Sequence, residues 1–173
     1  MIMKKLLACA AFAAIAMGTP ALAADAPQVY TTLGYTDADV SDGGGNYSNI
    51  TGRVGLRGMH FGVEGELSGG LTSKDFSGVS VKLQDEYAGY VVGFLPVGGP
   101  DNEVFARVGY AHTDIHGSGF GGSVTEGVNG GAYGAGFQHF WGANGVRFDY
   151  TYLTFDKGFG HADTFGVHWA HKF

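Results

Sequence analysis

Cysteine is nearly missing from this 173-residue chain: the single one is Cys9. Beyond it, neither a disulfide framework nor a thiolate metal site is available. Long apolar runs are missing after the first two dozen residues, so no later segment offers the roughly 18 consecutive apolar residues of a transmembrane helix. Basic residues are scarce as well, 10 Lys and Arg against 16 Asp and Glu. A chain this acidic is a poor match for nucleic acid, and no such partner is expected.

The first residues are the exception to that polar character. Lys4 and Lys5, the apolar stretch 6–17 and the small-residue site Ala21-Leu22-Ala23 have the layout of a secretory signal peptide. The stretch is shorter than the roughly 20 residues of a helical membrane span. Residues 1–23 are therefore assigned to a cleaved signal and residues 24–173 to one domain. Losing Lys4 and Lys5 makes the net charge of −6 more negative by two. Residues 6–9, Leu-Leu-Ala-Cys, have the outline of a lipoprotein acylation site, but the apolar run continues past Cys9, which argues against lipidation.

What is abundant is glycine, 32 residues, and aromatics, 14%. They are distributed over short segments in which apolar and small or polar residues alternate, the period of a β-strand. Eight such segments are readable. Val29, Leu33 and Tyr35 oppose Tyr30, Thr32 and Gly34; Ile50, Val54 and Leu56 oppose Thr51, Arg53 and Arg57; Phe61, Val63 and Leu67 oppose Glu64 and Glu66. The fourth, about 81–95, is undecided: Ala88, Tyr90, Val92 and Phe94 form the bulkier face, with Tyr87, Val91 and Leu95 competing. Then Val104, Ala106, Val108 and Tyr110 oppose Phe105, Arg107 and Gly109, and Tyr133, Ala135, Phe137 and Trp141 oppose Ala132, Gly134, Gly136 and Gln138. The last two set Val146, Phe148, Tyr150 and Tyr152 against Arg147, Asp149 and Thr151, and Phe165, Val167, Trp169 and Phe173 against Thr164, Gly166, His168, Ala170 and Lys172.

An even count, with long connections expected near Asp37, Leu71, Asp114 and Asp156 and short ones near Met59, Pro96 and Gly142, predicts an all-β fold. The specific expectation is an eight-stranded antiparallel up-and-down transmembrane β-barrel. A soluble sandwich also alternates, but its polar face is wet. Here that face carries small residues and a few charges of both signs, which suits a lumen just wide enough for side chains. A hairpin centred near Met59 and His60 sets Glu64 or Glu66 across from Arg53, Gly55 or Arg57. Because unpaired interior charges cost several kcal/mol, Arg53, Arg57, Glu64, Glu66, Arg107, Arg147 and Asp149 are expected to form an interior ion-pair network. With both termini in the periplasm, Trp141, Trp169 and Phe173 fall together in a periplasmic aromatic girdle, which His139 and His171 share.

Residues 105–111 (Phe-Ala-Arg-Val-Gly-Tyr-Ala), residues 145–152 (Gly-Val-Arg-Phe-Asp-Tyr-Thr-Tyr) and the closing segment ending in Phe173 carry a resemblance. The chain resembles the OmpA/OmpX-like eight-stranded outer-membrane barrels, specifically the small porin-family or opacity-like proteins, over its whole length after residue 23. The resemblance implies a Gram-negative outer-membrane location, periplasmic termini and extracellular loops. It also implies that Phe165, Val167, Trp169 and Phe173 form the signal read by the barrel-assembly machinery, with His171 a departure where an apolar or aromatic residue is usual. Expected partners are outer-membrane lipid, lipopolysaccharide, that machinery and a surface ligand met by the loops; the chain is expected to be monomeric. Members of such a family serve as structural proteins, adhesins and resistance factors and sometimes as enzymes, so fold does not fix function.

Other chemistries read weakly. His116 and Ser118, with Glu126 beyond, are similar to the His/Ser pair of barrel-embedded lipid A deacylases, but they fall in what reads as a glycine-rich loop, 114–130, with no scaffold to hold them. Gly117, Gly119 and Gly122 match a nucleotide-loop spacing without the flanking strand and helix it needs. His112, His116 and His161 lack tight ligand spacing. Interior Arg53, Arg107 and Phe105 would plug a lumen of eight strands, which argues against a diffusion channel. The expectation is a non-enzymatic envelope or surface-recognition protein without cofactor or metal, its outer loops carrying the function.

Overall fold

A computed structural model describes residues 27–41, 45–71, 73–76, 79–119, 122–156 and 160–173, with side chains described except in 73–84 and 115–126. The expected signal segment, residues 1–23, lies outside them. Among the described residues nine strands follow one another: β1 (Gln28–Val40), β2 (Gly45–Arg57), β3 (Phe61–Gly70), β4 (Ser73–Phe76), β5 (Val79–Pro96), β6 (Asn102–Gly119), β7 (Gly122–Trp141), β8 (Asn144–Phe155) and β9 (His161–Lys172). Each pairs antiparallel with its chain neighbours, except that β3 pairs with β5 and β1 with β9, which closes the sheet. Because β4 pairs only with β5, the wall is the eight strands anticipated from the alternation.

The alternation decides which side chains face out. Leu33, Val54, Leu67 and Val108 are each more than half exposed, and they belong to a belt of apolar side chains around the outside. The charged residues are inside: Glu64 and Arg147 are 0% exposed. A water-soluble domain does the reverse, burying its apolar surface and solvating its charges. Closure also excludes a sandwich, since the sheet has no second layer to pack against.

The fourth sequence segment, now β5, has the facing that its composition left undecided. Tyr90, Val92 and Phe94 point inward, Val92 at 0% exposure, while Val91 and Leu95 point out. The lumen has room for them in part because the wall opposite, β9, includes the small Ala162, Gly166 and Ala170 among its inward residues. Gly136 shows how closely the interior is fitted: a Cβ there would sit 2.2 Å from the Phe148 carbonyl oxygen and 2.4 Å from the Phe105 ring.

A correction concerns the connections. The start of β1, the end of β9 and the turns at 58–60, 97–101 and 142–143 share one end, called the near end, where Gly142 makes the tight turn with φ of 72°. At the far end the expected long loops are mostly strand. β1 runs through Asp37 to Val40, and residues 114–119 and 122–130 form the ends of β6 and β7, paired from Asp114↔Gly127 to Gly119↔Gly122. Glycine in this stretch occupies hairpin ladder positions instead of loop positions. Cross-strand backbone bonds satisfy the chain there. β5, β6 and β7 thus reach 18, 18 and 20 residues and rise past the rim set by β8, whose pairing with β7 stops at Gly130↔Phe155.

Candidate functional site

Two features are candidates for function: the packed lumen and the raised far-end sheet. The lumen is built in layers. At the near end Arg57 reaches across to Glu103 with two hydrogen bonds of 2.7 Å, and Gln138 Nε2 donates a third, also 2.7 Å. Above it Tyr30, Phe94 and Phe105 pack edge to face or tilted, and the guanidinium carbons of Arg57 and Arg147 stand 4.1 Å and 3.8 Å from the rings of Phe94 and Phe105.

The next layer holds the charges. The register places Arg53 opposite Glu66 and Gly55 opposite Glu64. Arg53 bonds Glu66 through Nε and Asp149 through both terminal nitrogens, at 2.9 and 3.0 Å. Arg107 bonds Glu66 and Asp149 at 3.1 Å each and also holds the Thr151 hydroxyl. Arg147 grips both oxygens of Glu64 at 2.5 and 3.2 Å, and the Tyr30 hydroxyl donates to the same carboxylate at 2.6 Å. Three guanidiniums and three carboxylates are thereby joined in one buried cluster. Bidentate contacts with further hydrogen bonds are the arrangement that offsets the desolvation of buried ions.

All seven residues expected in the network are therefore in the lumen, but in two groups. Arg57 faces Gly62 on β3 and finds its carboxylate on β6 instead. Glu103 and His168 were missed. Glu103 shares the inward parity of Phe105 and Arg107, which is the signal that would have found it. His168 lies fully inside with Nε2 3.2 Å from Asp149 Oδ2.

Other sequence candidates take up places without converging. Trp141, Trp169 and Phe173 lie on the outer face of the near end, where His171 stacks on Trp169 and bonds Asn144, and His139 lies by Trp141 and bonds Asn102. Phe165 and Val167 continue that outward row on β9. His112 bonds Asn129 at 2.6 Å and stacks on Tyr87. His116, Ser118 and Glu126 have backbones on β6 and β7, not in a loop; their side chains lie outside the described residues. Among the described residues no group of three or more metal-ligating side chains is gathered.

The sequence matches the family model of the outer membrane protein beta-barrel domain over residues 7–173. A comparison with curated proteins found no match. Solved structures with the same architecture include Ail, the attachment invasion locus protein of Yersinia pestis, at 18% identity and a TM-score of 0.67, covering 85% of this chain and 99% of that one. OprG of Pseudomonas aeruginosa gives 12% identity and a TM-score of 0.64 over 87% and 97%. The N-terminal barrel domain of Pseudomonas aeruginosa OprF gives 10% and 0.63 over 86% and 100%. Ail has also been solved with the heparin analogue sucrose octasulfate.

Proposed function

Since the chain belongs to the outer-membrane β-barrel family, we propose that it is a plugged, non-enzymatic surface protein that meets its partner through the raised sheet of β4–β7. The observation that carries this reading is the sheet itself. Residues 122–129 of β7 pair with β6 alone among the described strands, leaving one row of backbone donors and acceptors above the rim. The termini and short turns are assigned to the periplasm, and the raised end to the cell exterior. Trp141, Trp169 and Phe173 then form the inner girdle, and Phe165, Val167, Trp169 and Phe173 the assembly signal, in a monomer held in lipid and lipopolysaccharide.

The electrostatics argue against a polyanionic ligand of the kind seen with Ail. Asp37, Asp39, Asp85, Asp114, Asp156 and Asp163 stand at the far end, and the whole chain is acidic. A neutral or cationic surface fits better.

The test trims residues 115–126 to a two-residue hairpin turn, which shortens only the part of β6 and β7 above the rim. In a deletion strain the trimmed protein is expected to restore detergent resistance but not adhesion to host-cell monolayers. Full restoration of adhesion would refute the raised sheet as the recognition surface.

The lumen also makes a prediction. Purified protein in planar bilayers is expected to show no large, stable conductance, because the charged cluster and the Tyr30–Phe94–Phe105 layer fill the bore. A lasting porin-sized current would sink the plugged-lumen reading in favour of a channel.

A further inference from the structure

Above the ion-pair cluster, toward the far end, lies a cavity of about 20 Å³, room for about one water molecule. Hydroxyls contribute to its lining: Thr36, Thr51 and Ser68 form a chain with links of 2.7 and 2.8 Å. Glu86 is the odd member of this lining. It is the last inward position of regular β5, next to a bulge between Leu83 and Asp85, and bulges commonly re-aim a neighbouring side chain. The Thr113 hydroxyl donates to it at 3.1 Å. The cluster below is already balanced, with Arg53, Arg107 and Arg147 matched by Glu64, Glu66 and Asp149. Glu86 thus adds a fourth carboxyl to three guanidiniums.

The register fixes what it meets. Glu86 is opposite Ser68 and Glu66 opposite Ala88, so the two carboxyls are diagonal neighbours on adjacent strands, both turned inward. The charged groups facing Glu86 are Glu66 from β3, Arg53 from β2 and Arg107 from β6, and both arginines are engaged by Glu66 and Asp149. β1, β8 and β9 present Thr36, Thr151, Leu153 and Thr164 at this level, none of which carries charge. Nothing described neutralises a second ionised carboxylate here.

We propose that Glu86 and Glu66 share one proton across the floor of this cavity, so that the far end of the lumen is a pH-sensitive latch, closed when the proton is held and strained when it leaves. Glu86 stands outside the lipid-facing segment of β5, which begins at Tyr87, since its neighbour Asp85 is exposed. Burial, followed by the nearby Glu66 charge, lifts its carboxyl to about 7. A carboxyl whose pKa is raised on folding stabilises the fold while protonated, and that stability is lost as pH rises from the unfolded value through the folded one.

The experiment compares the unfolding equilibrium of the whole barrel in detergent micelles between pH 5 and pH 8 with that of Glu86→Gln. The unfolding constant of the wild type is expected to rise at least about tenfold over this range relative to the variant, each unit of pKa displacement being worth tenfold. Glu86→Gln should be the more stable of the two at pH 8. A glutamate carboxyl titrating near neutral pH by carbon NMR, absent from Glu86→Gln, gives the same answer without relying on stability. The proposal is overturned if both proteins show the same pH dependence. It is equally overturned if calcium, and not protons, sets the wild-type stability.

Discussion

Asp149→Asn is expected to cost the barrel about 3–5 kcal/mol, the loss typical of removing one partner from a buried ion pair. Asp149 accepts from both terminal nitrogens of Arg53 and from Arg107, and its other oxygen lies 3.8 Å from Arg147 Nε. The amide keeps the shape but leaves three guanidiniums with two carboxylates. Water cannot screen the surplus, because the side chains of all three arginines are at most 1% exposed. Glu103→Gln, at the more accessible near-end pair, should cost less, about 1.5–3 kcal/mol for a hydrogen bond to a charged group. The double variant Arg53→Met with Asp149→Leu removes one charge of each sign and should recover most of the loss, since an apolar pair replaces an ionic one without leaving a lone charge. Urea titration in phospholipid vesicles, followed by Trp141 and Trp169 fluorescence, reads all three. Equal costs for Asp149→Asn and Glu103→Gln would mean that the cluster is not the closed unit described above.

That cluster was largely legible in the sequence, and the reason is parity. In a hairpin, side chains two residues apart share a face, so a hairpin centred near Met59 and His60 sets Arg53, Arg57, Glu64 and Glu66 on one face. Parity names the face but not the partner. Arg57 finds Glu103 across the bore, and that pairing depends on barrel stagger, which local alternation does not contain. β5 stayed undecided for a related reason. With Gly89 and Gly93 on its outer face and Tyr90, Val92 and Phe94 inside, hydrophobicity points the wrong way. Only the smallness of Gly34, Gly166 and Ala170 elsewhere in the lumen says where bulk belongs, and that is information from other strands. The far end was misread because Gly117, Gly119, Gly122 and Gly127 imitate a loop; strand pairing there rests on backbone bonds that no side-chain pattern reports.

The facing of β5 supplies the other large expectation. Val91 is the middle of the outward row Tyr87, Gly89, Val91, Gly93 and Leu95, flanked by Val63 on β3 and Val108 on β6. At 55% exposure it would count as an ordinary surface position in water, where Val91→Arg would change stability by no more than about 0.5 kcal/mol. In a bilayer its surroundings are hydrocarbon, and the same substitution is expected to cost about 2–4 kcal/mol. The cost should fade with depth: Leu95→Arg, beside the near-end turn that starts at Pro96, should lose only about 0–1 kcal/mol because the guanidinium reaches the interface. Measured in vesicles by the same urea titration, the gradient between the two positions is the informative quantity. If both cost nothing, the apolar belt is not embedded in lipid. If both cost alike and heavily, β5 does not present the face the register assigns to it.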